Sequence, residues 1–519
     1  MQNKFLQSRQ NSKINCLNLS TYYKIREKVM LFSDRIRSLR EAKKITQSTM
    51  AQALGIGVPM YSRIERGERA VRKEQIHVLA KILETDSDEL LKLWLADQIS
   101  AVMDGEESKF NEVVAIATKE ENMKKKPVRI ASLFSGCGGL DLGFTGGFSF
   151  YDKKFERLST EIVFANDFDK DAADCYNSNP LLTHDGCECI LKDIRDIQAS
   201  DIPDFDVLLA GFPCQPFSNA GNRKGVNDDN GRGTLFEECE RIISYKVNNG
   251  KAPLAFVFEN VRGILSSKMP SGISVPHEIQ NRMDRLGYNV SIQLVCASDY
   301  GVPQKRYRVL IIGILKSIGK FDFSVMDDVI AKNSIPSEKT DKRKLLLGSI
   351  LNGVEKVDNG GCWEYSKTTQ NMIDLIGPCT HDSDSIHLFD GDFKIEELPA
   401  TVFEGKSWKD IPPEKLTPRF KKIYDDPKRY HAPKFFRRFA YGEINGTITA
   451  SAQPENCGIT HPVENRRYSV REIARIQSFP DNYSFDAIPL QSRYKVIGNA
   501  VPPILGWVIA KSLLTQLKH

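Results

Sequence analysis

A short apolar run followed at once by a glycine-rich turn constrains the fold of this chain more than any other stretch of its 519 residues. Val128–Phe134 is the run, and Ser135–Leu140 is the turn. A strand, a glycine turn and a helix start form the first unit of a doubly wound α/β sheet, whose helix N-terminus holds an anionic ligand group. A dinucleotide, a nucleotide phosphate and the carboxylate of S-adenosylmethionine all fit such a turn.

Further apolar runs end in polar residues that are suited to a site. Ile162–Asp167 ends in an acid at the position where such folds bind a ribose hydroxyl, and a second acidic turn follows at Asp193. Ala255–Phe258 leads into Glu259, and Gln304–Arg308 precedes another apolar run. Because open α/β sheets bind ligands at the carboxyl ends of their strands, we expect the acids to lie at one edge of the sheet.

One cysteine follows a predicted strand in a setting that favours chemistry. Asp206–Ala210 leads into Gly211–Ser218, in which Cys214 lies between two prolines that fix the backbone around it. A thiolate is a good nucleophile toward electron-poor carbon, whereas most free cysteines are only buried packing residues. The glycine-dotted stretch 219–233 follows, and we interpret it as a lid over Cys214.

The composition is that of a soluble intracellular protein. Hydrophobic residues make up 41% and charged residues 27%, the net charge is +5, and no apolar run reaches the ~20 residues of a membrane helix. The polar residues 1–31 form an irregular extension without a signal-peptide core, so we expect a cytoplasmic protein without membrane association. The 11 cysteines lack paired spacing, so we expect reduced thiols and no metal site.

Residues 32–93 have the pattern of short helices with a tight glycine turn between the second and third. Thr46–Gly55 and Val58–Gly67 carry a resemblance to the Cro/repressor type of helix-turn-helix domain. In such domains the helix from about Val58 enters the major groove. The resemblance makes four residues candidate DNA contacts: Gln47, Tyr61, Ser62 and Arg63. The charged stretch 94–127 is predicted to be a linker.

From Val128 onward the chain resembles the DNA (cytosine-5-)-methyltransferase family. Six motifs stand in the family's order: Phe134–Leu140, Gly211–Ser218, Glu259–Val261, Gln304–Arg308, Tyr468–Asp481 and Ile497–Pro503. The chain departs from the family's pattern at Asp167, where glutamate is usual, and at Lys192, where glycine is usual before the aspartate.

The resemblance implies an α/β fold with a doubly wound S-adenosylmethionine-dependent methyltransferase sheet, a smaller target-recognition domain and the all-α N-terminal domain. It divides the chain into a catalytic region 128–315, a variable target-recognition region 316–459 and C-terminal motifs 460–519 that return to the catalytic domain.

The resemblance also assigns residues to roles. The implied catalytic residues are Cys214, Glu259, Arg306 and Arg308. The implied S-adenosylmethionine site consists of Phe134, Ser135, Gly136, Gly138, Gly139, Leu140, Asp167, Asp193, Asn499 and Ala500. Target DNA contacts are expected from Gln215, Ser218 and Gln304.

The leading hypothesis is a modification enzyme of a restriction-modification system that methylates carbon 5 of cytosine in double-stranded DNA. It acts as a monomer or weak dimer, and its own promoter is a candidate second site for the helix-turn-helix domain. A DNA-binding regulator on an inactive methyltransferase scaffold is disfavoured because Cys214, Glu259, Arg306 and Arg308 are all present. An RNA methyltransferase is disfavoured because a helix-turn-helix domain indicates duplex DNA.

Overall fold

A computed structural model of the chain describes residues 32–102, 126–212, 235–269, 271–358, 360–426 and 435–517. The chain forms two compact units that divide between Lys124 and Lys125.

The first unit is helical. Its helices are α1 (Phe32–Ala42), α2 (Gln47–Ala53), α3 (Val58–Glu65), α4 (Lys73–Ile82) and α5 (Ser87–Val102). The side chain of Thr46 caps α2 by accepting a hydrogen bond from the Thr49 amide, and Gly55 has a left-handed φ of +65° in the turn before α3. This helix, glycine turn and helix confirm the predicted helix-turn-helix.

Helix α5 extends past Leu93, where we predicted the domain to end. The reason is that Trp94 packs against the helical core and donates a hydrogen bond from Nε1 to the Val71 carbonyl at 2.9 Å. An apolar anchor in the middle of α5 therefore keeps the chain helical into the charged stretch that follows.

The second unit is built on a seven-stranded sheet. Its strands and the short strands around it are β1 (Val128–Leu133), β2 (Phe148–Phe150), β3 (Lys153–Phe155), β4 (Thr160–Asp167), β5 (Cys189–Leu191), β6 (Val207–Ala210), β7 (Ala255–Val261), β8 (Tyr288–Cys296), β9 (Gln304–Lys305), β10 (Tyr307–Leu315) and β11 (Asn445–Gly446). The sheet order is β5-β4-β1-β6-β7-β10-β8. Strand β10 is antiparallel to both of its neighbours and the other strands run parallel.

The helices of the second unit pack on two apolar cores, one on each face of this sheet, and on a separate small apolar core that includes residues 372–376 and Phe420. They are α6 (Gly139–Thr145), α7 (Lys170–Asn177), α8 (Pro180–Thr183), α9 (Leu235–Asn248), α10 (Val275–Arg285), α11 (Ser324–Lys332), α12 (Leu347–Leu351), α13 (Lys367–Ile376), α14 (Pro418–Asp425), α15 (Val470–Ile476), α16 (Leu490–Asn499) and α17 (Pro503–Leu517). The chain moves from β1 outward to β4 and β5, then crosses to β6 on the other side. This order puts a topological switch point, the usual ligand crevice, beside the carboxyl end of β1.

The C-terminal helix α17 returns to pack against α6, the helix that follows β1. A Cβ atom added to Gly143 of α6 would lie 2.6 Å from the Gly506 Cα of α17, so the two backbones meet where neither residue has a side chain. Residues 490–517 are apolar and long enough to cross a membrane, yet 89% of an 18-residue apolar window within them is buried inside the fold. The stretch is therefore part of the core of this unit.

Candidate active site

The glycine turn after β1 is held in conformations that few residues adopt. Phe134 has φ +55°, Gly136 φ +58° and Gly138 φ +79°. A Cβ atom on Gly138 would lie 2.2 Å from Leu182, and one on Gly139 would lie 2.3 Å from the Val501 carbonyl oxygen, so both positions require glycine. A left-handed conformation at a residue as bulky as Phe134 is strained, and such strain concentrates at functional sites.

Side chains beneath the turn fix its shape. The Ser135 hydroxyl lies 3.0 Å from the hydroxyl of Ser132, which donates to the buried Asp141 at 2.7 Å. Tyr176 donates to the other carboxylate oxygen of Asp141 at 3.0 Å. Burial raises the pKa of Asp141 to about 6, against these two hydrogen bonds. Leu140 is buried in the core at the start of α6.

The acid at the end of β4 lies directly across from the turn. The Asp167 carboxylate accepts hydrogen bonds from the Gly136 amide at 2.8 Å and the Asp169 amide at 2.9 Å. Burial raises its pKa, although these amides favour the charged form. This predicted cofactor residue therefore connects the glycine turn to β4.

A cavity of about 240 Å³ opens beside Asp167 at this edge of the sheet. Its lining residues are Phe134, Asn166, Phe168, Lys192, Asp193, Ile194, Arg195 and Leu235. The Phe168 ring is 61% exposed, which is unusual for an aromatic side chain next to a buried strand. Asp193 forms an ion pair with Arg195 at 2.6 Å, and the hydrogen bond from Arg195 lowers the pKa of Asp193. The cavity is apolar with a few polar groups, which suits a nucleoside.

The cavity contains residues that the sequence interpretation missed. Phe168, Asn166, Lys192 and Ile194 were not among the predicted cofactor residues. A signal for Phe168 was present, because an aromatic residue directly after a strand-end acid lies at the ligand edge of the sheet.

Glu259 and Arg308 meet on neighbouring strands. Glu259 lies in β7 and Arg308 in β10, and Oε1 of the carboxylate is 2.6 Å from Nε of the guanidinium with both side chains 10% exposed. The carboxylate also borders the end of β6, since a Cβ atom on Gly211 would lie 3.9 Å from its Oε2. The side-chain Nδ2 of Asn260 donates to the Phe212 carbonyl at 3.4 Å. The structure thus brings two predicted catalytic residues together where the segment carrying Cys214 begins.

Cys214, Gln215 and Ser218 lie outside the residues that the structure describes, as does the predicted lid 219–233.

Arg306 does not take part in this pair, and its predicted catalytic role is wrong. Its side chain is 1% exposed, and the guanidinium donates to the carbonyl oxygens of Ile448 at 2.9 Å, Gly498 at 3.1 Å and Ala500 at 3.1 Å. A guanidinium bonded to three backbone carbonyls inside the protein cannot reach a substrate. The backbone turns at Arg306, whose amide donates to the Gln304 carbonyl. The side chains of Arg306 and Arg308 therefore bind different partners.

Gln304 is likewise buried, and its predicted DNA contact is wrong. Its Nε2 donates to Oε1 of Gln477 at 2.5 Å, and its Oε1 accepts from the Ile448 amide at 3.1 Å. Gln477 in turn donates to the carbonyls of Ile497 at 3.0 Å and Ala500 at 2.7 Å. These hydrogen bonds therefore hold the turn that ends α16. Two predicted cofactor residues lie in that turn, the exposed Asn499 and the buried Ala500.

In the helical unit, the predicted contacts divide between core and surface. Tyr61 is completely buried, so its predicted DNA contact is wrong. Gln47 is half-buried and donates to Glu65 at 2.7 Å, Ser62 is half-buried, and Arg63 is exposed. The period of α3 explains the error, because Tyr61 shares its inward face with Ile64 and Glu65.

Comparison with known proteins agrees with the division of the chain into a helical unit and a unit built on the sheet. Residues 128–515 match the C-5 cytosine-specific DNA methylase family, and residues 36–90 match a helix-turn-helix family. The chain belongs to the C-5 cytosine-specific DNA methylase family and is a DNA (cytosine-5-)-methyltransferase with an N-terminal helix-turn-helix domain. Enzymes of this family use S-adenosylmethionine as methyl donor and act on DNA.

Several curated relatives are Type II methyltransferases. M.FnuDI of Fusobacterium nucleatum is 32% identical over 390 residues, which are 75% of this chain and 95% of the relative. M.NgoPII of Neisseria gonorrhoeae is 31% identical over 76% of this chain and 97% of its own length. M.Sau96I of Staphylococcus aureus is 28% identical over 93% of this chain and 98% of its own length.

Proposed function

We propose that this chain is the modification enzyme of a Type II restriction-modification system that methylates one cytosine in a specific duplex sequence. The observation that carries the proposal is the Glu259–Arg308 pair, buried at the carboxyl edge of the sheet. A Cβ atom on Gly211 would lie 3.9 Å both from Oε2 of Glu259 and from the carbonyl oxygen of Phe134, a residue that lines the cavity. The relatives named as Type II methyltransferases support the biological setting.

The described residues fit S-adenosylmethionine. Asp167 stands at the ribose position of such folds and is bonded to the tight turn Phe134–Gly138 through the Gly136 amide, and the exposed Phe168 ring offers a surface for an adenine base. Asp193 supplies a further acceptor at the cavity wall. When bound, the cofactor supplies an electrophilic methyl group.

Cys214 is the proposed nucleophile. Its thiolate adds to carbon 6 of cytosine, the ring electron pair moves to carbon 5, and carbon 5 thereby becomes nucleophilic. After carbon 5 has gained the methyl group, a base removes the carbon 5 proton, the bond between sulfur and carbon 6 breaks, and the thiolate is restored.

Glu259 and Arg308 would stabilise the charge that develops on the ring. The carboxyl group contacts ring nitrogen 3 and the exocyclic amine, and the guanidinium holds the carbonyl oxygen. Their ion pair at 2.6 Å fixes both side chains before the substrate arrives, so that little reorganisation is needed.

The target base must leave the duplex to reach these groups, so base flipping is part of the proposal. Region 316–459 is proposed to read the sequence. On α14, Lys421, Lys422 and the 47%-exposed Tyr424 are candidate DNA contacts. Phe435 and Phe436 are buried in the small apolar core of this region.

Bisulfite sequencing of DNA from cells that express the wild-type chain or Cys214→Ala tests the activity. We expect methylcytosine at one short motif with the wild type only, and Glu259→Gln should fold yet methylate very slowly. Methylation by Cys214→Ala would refute the nucleophile, and no methylation by either chain would refute the proposed activity.

The proposal includes a second DNA site for the helix-turn-helix domain, the promoter of its own gene, in a cytoplasmic protein that is a monomer or weak dimer. Gel shifts of the full chain on upstream DNA test this role. Loss of the shift in Arg63→Ala supports it, and no shift with the wild-type chain refutes it.

A further inference from the structure

The solvent-exposed side of helix α3 has an apolar half and a basic half. Its inward face consists of Tyr61, Ile64 and Glu65, which are buried. On the outward side, Val58 is 41% exposed and Pro59 is exposed at the N-terminal end. The exposed Arg63 lies at the other end, so the outward surface is apolar first and basic last.

The apolar half lies where a helix-turn-helix reads bases. In this motif the N-terminal residues of the second helix contact base edges in the major groove. Val58 and Pro59 carry only carbon in their side chains, and Pro59 also lacks an amide hydrogen. These two residues therefore have no side-chain group that can hydrogen-bond a base edge.

The major groove offers such residues one kind of partner. Every base pair there presents hydrogen-bond donors and acceptors, and the apolar feature among them is the methyl group on carbon 5 of thymine. A methyl group on carbon 5 of cytosine occupies the same position on the pyrimidine ring. A recognition helix that begins with Val58 and Pro59 can thus gain base-edge affinity from a C5-methyl group.

We propose that the helix-turn-helix domain recognises DNA through the C5-methyl groups of pyrimidines, which Val58 and Pro59 contact. The inference rests on the proposed role of this domain in binding a second DNA site. Arg63 follows Pro59 by four residues and so lies on the same face of α3, where its guanidinium can take the O6 and N7 acceptors of a neighbouring guanine. The expected element is a C5-methylated pyrimidine next to guanine.

Two sources supply this methyl group. Thymine carries it permanently, and 5-methylcytosine is the product of the methyltransferase unit of the same chain. If 5-methylcytosine is read, DNA binding by the first unit depends on the methylation state that the second unit creates.

The test uses the full chain with Cys214→Ala, so that the protein does not methylate the DNA during the measurement. Duplexes are first selected from a random library that contains thymine and from an otherwise identical library with every cytosine 5-methylated. The motif of the helix-turn-helix domain is the one that is lost when Arg63→Ala is added. Each thymine of that motif is then replaced by deoxyuridine, which lacks the methyl group, and each cytosine by 5-methylcytosine.

The expected effect is a loss of about fourfold in affinity for each contacted methyl group removed, the value of one buried CH₂-sized group. Val58→Ala and Pro59→Ala should bring the affinities for methylated and unmethylated duplexes closer together. Leu95→Ala, which truncates a similarly exposed side chain on α5, is the matched control and should leave their ratio unchanged.

The outcomes distinguish thymine from 5-methylcytosine as the source of the methyl group, and methyl recognition from DNA binding without it. Sensitivity to deoxyuridine alone supports thymine reading, and tighter binding to a 5-methylcytosine duplex supports reading of the enzyme's product. A motif that depends on Arg63 but binds equally with and without C5-methyl groups overturns this inference and leaves the second DNA site intact. Recovery of no Arg63-dependent motif overturns both.

Discussion

Gln477 offers a direct test of the buried network that holds the turn at the end of α16. Gln477→Leu keeps the approximate size of the side chain and removes its hydrogen bonds to the Ile497 and Ala500 carbonyls and to Gln304. Gln477 is completely buried, so water cannot replace these partners. The neighbouring carbonyls would lose an anchor without a new cavity being created.

The three lost hydrogen bonds allow an estimate of the loss in stability. Three hydrogen bonds of about 0.5–1.5 kcal/mol each sum to roughly 1.5–4.5 kcal/mol. The loss falls toward the lower value because the Ala500 carbonyl keeps its bond from Arg306 at 3.1 Å. If about 2 kcal/mol must be recovered to restore the turn when the cofactor binds, the affinity for S-adenosylmethionine falls about 30-fold.

Steady-state kinetics and thermal unfolding together measure the two effects. We expect the KM for S-adenosylmethionine to rise about 30-fold in Gln477→Leu, with kcat within about threefold of the wild type. Ile279→Ala is the matched control, because it removes a fully buried side chain from α10 in the other core at a cost of about 2–5 kcal/mol. An unchanged KM in Gln477→Leu, with a loss of stability like that of the control, would refute the positioning role.

Three further predictions concern stability. Because burial raises the pKa of Asp141 from 3.8 to about 6, its proton binds more tightly in the folded state. Lowering the pH from 7 to 4 should therefore stabilise the wild type relative to Asp141→Asn by about 2 kcal/mol in denaturant unfolding, and a pH-independent difference would contradict this. Arg40→Met leaves the carboxylate of Glu65 buried without its cation and should cost the helical unit about 3–5 kcal/mol, seen as faster hydrogen exchange within 32–102, whereas the exposed Arg37→Met should exchange like the wild type. Gly143→Ala pushes a Cβ atom against the backbone of α17 and should lower the stability of the second unit by about 1–3 kcal/mol, and an unchanged Tm would show that the helices separate freely.

Local patterns predicted the sheet well. The apolar run and glycine turn at Val128–Leu140 correspond to β1 and the start of α6, and Asp167 ends β4 as expected. An apolar run shows that a strand is buried but carries no information on its direction. The antiparallel placement of β10 between β7 and β8 therefore had no signal in the sequence.

The site was predicted in part, and the errors share a physical cause. Glu259 and Arg308 were expected together and are together. Arg306 and Gln304 stand in the same motif, but their partners are residues more than 140 positions away, at Ile448 and Gln477. A motif shows that a polar side chain is present, whereas the direction of its donors depends on packing between distant segments.

The position of α17 in the chain implies that the two units fold at different times during synthesis. The helical unit 32–102 has its own core and is complete once its residues leave the ribosome. Gly139, after the turn that follows β1, instead packs against Val501, and Gly143 of α6 packs against α17; both partners are synthesised much later than the helical unit. At ~5–20 residues per second, the interval between the two is about 20–80 s. A nascent chain can therefore present a folded DNA-binding domain well before it is able to methylate.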